Sequence, residues 1–165
     1  DARRRSRGDE DRDEVPTPKY LYDHLDEIYH FDHDPCPLGA RDSGTDGLST
    51  AWGERTFVNP PYSATLRWVK KAIREYQEGK LVVMLVPART NSTYWHRFVF
   101  PHASEIHFLS KITFLPYKRA CPFPVAVVVF DGTIKDGLAR KPFLVRSNTV
   151  IKNRTRPYFT RFSLR

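Results

Sequence analysis

Residues 59–62 read Asn-Pro-Pro-Tyr, directly after the short apolar stretch at 55–58 and directly before Ser63 and a run of helix-spaced apolar residues. These residue types suit one kind of chemistry. An exocyclic amino or amide nitrogen is a poor nucleophile because its lone pair is delocalised. The Asn59 side-chain oxygen and the Pro60 carbonyl can each accept one of its two N–H bonds, drawing the nitrogen toward tetrahedral geometry and stabilising the charge that develops as it attacks. Pro60 and Pro61 stiffen that carbonyl, and Tyr62 offers a stacking face, worth about 1–3 kcal/mol per base in nucleic-acid sites. The plainer reading is a proline turn that closes a strand, but the strand–motif–helix setting favours chemistry.

Other reactive residues carry less. His30, Asp32 and Asp34 would share one face of a strand while His33 points away. Zinc usually takes four ligands, so the set is incomplete and no metal is expected. Cys36 has no recognisable base partner, which argues against a covalent role. Trp52, Trp68 and Trp95 read as core or pocket wall. Arg89 stands just beyond a strand end, where it can meet a phosphate or simply face solvent.

The elements that must position these groups follow from pattern. Thr17-Pro18 suits a helix start, Thr as cap and Pro at the first position, with Leu21, Leu25 and Ile28 at helical spacing. A short strand is expected at His30–Asp34, ended by Pro35, and then a Gly/Asp/Ser-rich loop over 38–52 that contains Asp46. After the strand at Arg55–Val58 a helix places Leu66, Val69, Ile73 and Tyr76 on one face, with Gly79 available to end it. Leu81–Val86, apolar throughout, suits a buried strand of a parallel sheet. A shorter helix from about Ser92 to Phe100 should stop at Pro101. Glu105–Leu109, Lys111–Leu115 and Val125–Phe130 read as strands. The alternation predicts an α/β sheet with ligands at the carboxyl ends of its strands.

Composition sets the outer limits. The chain has 165 residues, enough for one ordinary domain, and its 40% hydrophobic content supports a core. Thirteen prolines argue against a helical bundle. No apolar run approaches the ~20 residues that cross a bilayer. Two cysteines, Cys36 and Cys121, make no disulfide framework, so an intracellular, reducing compartment is the default. The chain opens at Asp1 rather than Met, as a piece of a longer protein would. Residues 1–15 mix five arginines with six acids and read as disordered; 16–134 form the globule. From Lys135 onward nine basic residues face one acid, Asp136, which accounts for the whole net charge of +8. A basic C-terminal segment (135–165) beside a neutral globule suggests a polyanion partner, although a solvated tail has the same composition.

Asn-Pro-Pro-Tyr is also the signature of amino-methyltransferases, which act on adenine, cytosine, guanine or a protein glutamine. Thr-Pro-Lys-Tyr-Leu-Tyr-Asp-His-Leu (17–25), Phe-Asp-His-Asp-Pro-Cys (31–36), Asp-Gly-Leu (46–48), Trp-Gly-Glu-Arg-Thr-Phe-Val-Asn-Pro-Pro-Tyr-Ser (52–63), Val-Met-Leu-Val-Pro-Ala-Arg-Thr (83–90) and Pro-Phe-Pro (122–124) narrow the match. Over residues 16–131 the chain resembles the phage-type DNA N-6-adenine methyltransferase (Dam-like) family. The resemblance implies a compact Rossmann-like S-adenosylmethionine-dependent methyltransferase sheet, reduced relative to the full seven-stranded form. It implies methyl transfer to the N6 amino group of adenine in DNA, flipped out of a duplex or presented single-stranded.

Carried over residue by residue, Asn59, Pro60, Pro61 and Tyr62 are catalytic. Thr17, Pro18, Asp34, Pro35, Cys36 and Asp46 hold the cofactor, with the free N–H groups of the first helix suited to a carboxylate. Ser63 and Arg89, beside the motif and a strand end, and Lys141, Lys152, Arg154 and Arg156, in the basic segment beyond the resemblance, are expected to contact DNA. The chain departs from the pattern in three places. After Asp34 only Gly39 stands where a glycine-rich loop is usual, Ser110-Lys111 replaces a Gly-Arg pair, and only 25 residues separate Asp34 from Asn59. The adenosine half of the cofactor therefore falls to the 38–52 loop, and so small a core leaves room for an accessory protein or second copy. An RNA or protein-glutamine methyltransferase, a DNA-binding module without catalysis, and a metal-dependent nuclease are the alternative readings.

Overall fold

The computed structural model describes residues 15–38, 46–109, 112, 121, 123–134 and 159–163, the last group as backbone. Helix α1 spans Lys19–Tyr29, and Leu21, Leu25 and Tyr29, four apart, bury one stripe. Pro18 is the N-cap rather than the first helical residue, and no side chain caps this end. Ile28, expected on the buried face, is 52% exposed. It lies about 60° round from Leu25 at 3.6 residues per turn, and Tyr29 draws the stripe to the other side.

The strand expected at His30–Asp34 reduces to a single parallel bridge, His33 to Thr56. His30 caps α1 in the left-handed conformation (φ 53°), which bends the chain at its front. Pro35, without an N–H, prevents pairing beyond it. What survives is Asp32 N–H to the Arg55 carbonyl (2.9 Å) and Phe57 N–H to that of His33 (3.0 Å).

Strand β1 (Arg55–Val58) leads through the motif and a 3-10 turn (Tyr62–Ala64) into α2 (Thr65–Gln77). Trp68, Val69, Ala72, Ile73 and Tyr76 bury the inner face of α2, whereas Leu66 lies just past its edge and is exposed. The chain leaves α2 at Gly79, whose φ of +97° favours a residue without Cβ. Strand β2 (Leu81–Pro87) is buried along its whole length. Next come residues 93–94 as helix, a π-helical turn at Trp95–Val99 and α3 at Phe100–His102. Pro101 does not stop the helix. Phe100 N–H reaches back five residues to the Trp95 carbonyl, and this wider turn accommodates the proline near the start of α3.

Strands β3 (Glu105–Leu109), β4 (Val125–Asp131) and β5 (Phe159–Ser163) complete a five-stranded sheet in the order β1-β2-β4-β3-β5. Only β1 and β2 pair in parallel; β4 enters between β2 and β3 and runs against both, and β5 runs against β3. The expectation of a parallel sheet around β2 thus holds on one side only, because an apolar run suits any strand covered on both faces. The strand expected at Lys111–Leu115 lies outside the described residues apart from Ile112, which is buried.

The sheet is the middle of three layers. Leu81, Val83 and Leu85 of β2 and Val125, Val127 and Val129 of β4 face α1 through Leu21, Leu25 and Tyr29. Val82, Met84, Val86, Ala126, Val128 and Phe130 face α2 and the π turn through Trp68, Val69, Tyr76, Trp95 and Val99. Each such side chain contributes about 1.5–3 kcal/mol of burial. Trp52 and Trp68 stack with ring centroids 6.0 Å apart and Trp95 is wholly enclosed, so all three tryptophans belong to the core. No helix among the described residues is long and apolar enough to cross a membrane.

Candidate active site

Because the 33–56 bridge, β1 and β2 share one direction, their carboxyl ends emerge together and deliver Asp34, Asn59 and Arg89 to one edge. A cavity of about 310 Å³ opens there. Thr17, Asp34, Cys36, Asn59 and Pro61 line it, joined by Lys19, Tyr22 and Phe57.

Asn59 is held by its amide nitrogen. Nδ2 donates to the Val15 carbonyl at 2.7 Å and to Thr17 Oγ1 at 3.0 Å. A backbone carbonyl only accepts, so the group facing Val15 must be the NH2, and Oδ1 is left as the acceptor. The Pro61 carbonyl takes Ala64 N–H at 3.0 Å, closing the 3-10 turn. That leaves the Pro60 carbonyl uncommitted among the described residues. Pro60 and Pro61 are buried.

Tyr62 packs edge-on against Phe123 with centroids 5.1 Å apart. Its hydroxyl is buried with no hydrogen-bond partner among the described residues. Burial, then the nearby Cys121 thiol, push its phenol well above the ordinary tyrosine value, so Tyr62 stays neutral. The Arg89 guanidinium lies 5.8 Å over the opposite partner, the Phe123 ring.

Asp34 is solvent-accessible at the cavity wall. Partial desolvation there raises its carboxyl pKa, against the opposing pull of the Cys36 N–H (2.9 Å) and His33. At the start of α1, the N–H groups of Leu21 and Tyr22 already donate to the Pro18 carbonyl, leaving those of Lys19 and Tyr20 open among the described residues.

The family described as DNA N-6-adenine-methyltransferase (Dam) matches this sequence over residues 5–122. The chain belongs to the Dam family. A DNA N-6-adenine-methyltransferase of Escherichia phage T1 is similar to it, 41% identical over 64 residues, 38% of this chain and 26% of that relative. The aligned part is thus about a quarter of the relative's length. No solved structure matches the chain.

Against the Dam family expectations, Thr17, Asp34, Cys36, Asn59 and Pro61 meet at one cavity, while Pro18 and Pro35 are buried and do not line it. Asp46 does not line the cavity. Its carboxylate takes the Leu48 N–H at 3.0 Å, and Gly47 packs so closely on the Pro35 carbonyl that a Cβ would stand 2.1 Å from it. Ser63 is exposed on the 3-10 turn and Arg89 on the loop after β2. Lys141, Lys152, Arg154 and Arg156 lie outside the described residues, as does the 39–45 part of the loop assigned to the adenosine. Asp32, from the His/Asp cluster, anchors the Arg55 N–H at 3.1 Å. No group of three metal-ligating side chains is gathered among the described residues. Sequence reasoning assigned no role to Lys19, Tyr22 or Phe57, although Lys19 and Tyr22 sit in the motif at 17–25 and offered the signal.

Proposed function

We propose that this chain transfers a methyl group from S-adenosylmethionine to the N6 amino group of adenine in DNA, within a reduced Rossmann-like methyltransferase sheet. The observation that carries the reading is the orientation of Asn59. With Nδ2 committed to Val15 and Thr17, only Oδ1 can meet an incoming amino group. The cavity chemistry fits the cofactor. Its volume is in the range of small-ligand sites. Asp34 offers a carboxylate to an ammonium, the open N–H groups of α1 suit a carboxylate, and Tyr22 and Phe57 supply an aromatic wall for a planar base.

When bound, S-adenosylmethionine supplies an electrophilic methyl group. The chain's own residues do the rest. Asn59 Oδ1 and the Pro60 carbonyl accept the two N–H bonds of the target amine and localise its lone pair. Preorganised acceptors of this kind stabilise developing charge without reorganising. Tyr62, neutral and braced by Phe123, stacks on the base. No strong general base is needed, since the amine becomes acidic once methylated and gives up its proton to water or through Asn59 Oδ1. Ser63, Arg89 and the basic residues Lys141, Lys152, Arg154 and Arg156 meet the phosphates. A DNA-modifying role also fits a protein working inside a cell, with neither Cys36 nor Cys121 in a disulfide.

The test is methyl transfer to duplex DNA, single-stranded DNA, RNA and a glutamine peptide, with the product identified by mass spectrometry. N6-methyladenine in DNA, absent with Asn59→Ala, is the expected result. Methylated RNA or peptide alone would reassign the substrate, and no cofactor binding at all would overturn the reading.

A further inference from the structure

The segment before α1 does more than border the cavity. Thr17 was expected to hold cofactor, and as cap of α1 it is displaced by Pro18. Its hydroxyl oxygen instead accepts from Asn59 Nδ2 at 3.0 Å, across 42 residues of sequence. The Val15 carbonyl takes the same amide at 2.7 Å. A free asparagine amide can present oxygen or nitrogen to the same spot at little cost, and a nitrogen presented to an amine donor repels it. Two acceptors on one side of Asn59 remove that choice.

We infer that Thr17 is a positioning residue for methyl transfer, fixing the Asn59 amide so that Oδ1, and never Nδ2, faces the target amine. The inference rests on the proposed role of Asn59 as acceptor. Val15 sets the polarity of the lock because a carbonyl cannot donate. Thr17 supplies the second hydrogen bond, which occupies the remaining N–H. The lock also explains why the chain carries an amide at position 59. A carboxylate there would face the Val15 carbonyl, which cannot donate to it.

The experiment compares the full chain with Thr17→Val, which keeps the shape and removes the hydroxyl, and Thr17→Ser, which keeps the hydroxyl. The first readout needs no substrate: the hydrogen-exchange rate of the Asn59 side-chain NH2 by NMR, assigned through its loss in Asn59→Ala. The second is kcat on duplex DNA at saturating S-adenosylmethionine, with cofactor affinity measured separately. Thr17→Val should speed exchange and lower kcat, each by about tenfold, the upper worth of one neutral hydrogen bond. Cofactor affinity should stay within about twofold, the residual expected where Thr17 acts on Asn59 alone. Thr17→Ser should restore both rates.

Unchanged exchange in Thr17→Val overturns the lock. Faster exchange with unchanged kcat and weaker cofactor binding overturns the positioning role and leaves Thr17 a cofactor contact. Slow exchange in the wild-type chain with no methyl transfer to any substrate overturns the methyltransferase reading, and the positioning role with it, while the hydrogen bond itself stands.

Discussion

Two carboxylates, Glu75 beside the entry to β2 and Asp34 at the carboxyl edge of the sheet, are treated in opposite ways. Glu75, on α2, is 3% exposed and grips Lys80 at 2.5 Å and Lys71 beside it. Burial alone would raise its pKa, but the hydrogen bonds from the two lysines outweigh that and hold it below the usual carboxylate value. Lys80 also donates to the Trp52 carbonyl at 2.9 Å, and Lys71 lies over the Trp52 ring. This side of the molecule satisfies its own polar groups. At the cavity the reverse holds: Asp34 is raised by desolvation, and Asn59, its amide nitrogen committed to Val15 and Thr17, has an acceptor to spare among the described residues. Polar groups that finish one another stabilise a fold, and those left unfinished are available to a ligand.

The sharpest way to break this contrast is to exchange the roles. Asn59→Ala should lower methyl transfer by about 10²–10³-fold, the usual loss for one preorganised polar contact to developing charge. Its stability should fall by only about 1–2 kcal/mol, for the two hydrogen bonds to Val15 and Thr17. Glu75→Gln should do the opposite, costing about 3 kcal/mol in urea unfolding because it leaves two lysines near a buried, uncharged partner, with cofactor affinity preserved in the folded fraction.

The two carboxylates also predict opposite pH behaviour. The lowered pKa of Glu75 contributes stability that is present above its unfolded value and lost as pH falls through its folded value. Asp34, with its raised pKa, makes the folded state bind its proton more tightly, so stability declines as pH rises from its unfolded toward its folded value. Cofactor affinity through an Asp34–ammonium pair should therefore weaken as pH drops into that raised range. Calorimetric titration of Asp34→Asn should show about tenfold weaker binding at neutral pH, in line with a charge-assisted hydrogen bond, and a flat profile where the wild type slopes.

The effect that leaves both the fold and the cavity untouched belongs to the basic residues after Lys135. Replacing Lys141, Lys152, Arg154 and Arg156 by Ala should flatten the salt dependence of DNA binding by about 0.9 in log–log slope per lost phosphate contact. Substitution is the right design, because truncation at 135 would remove β5 from the sheet as well. An unchanged slope would deny those residues a place on DNA.

Much of this was legible in the chain. The run at 81–86, the helix ended by Gly79 and the motif at 59–62 are local signals, since burial on both faces, a positive φ and a proline pair each write themselves into a few neighbouring residues. Strand direction is not local, so the antiparallel entry of β4 was invisible in Val125–Phe130. Nor could spacing show that Thr17 and Val15 bind Asn59, or that His30 bends the chain before a strand can form at 30–34. The cavity itself joins residues 15–22, 34–38 and 57–61, and only the shared direction of the 33–56 bridge and β1 brings them together.

The insertion of β4 between β2 and β3 has a consequence for how the chain comes to be folded. Until residues 125–131 are available, β2 has one open edge and β3 has no partner on that side. The unit from β1 through α2 to β2 is built from near neighbours in sequence and can assemble early, so the frame that presents Asn59 precedes the strand that seals it. In that interval Val82, Met84 and Val86 share a strand open on one edge with Leu81, Val83 and Leu85, an apolar stretch exposed to aggregation. During synthesis, then, the lifetime of the half-built sheet is set by how soon some forty further residues leave the ribosome.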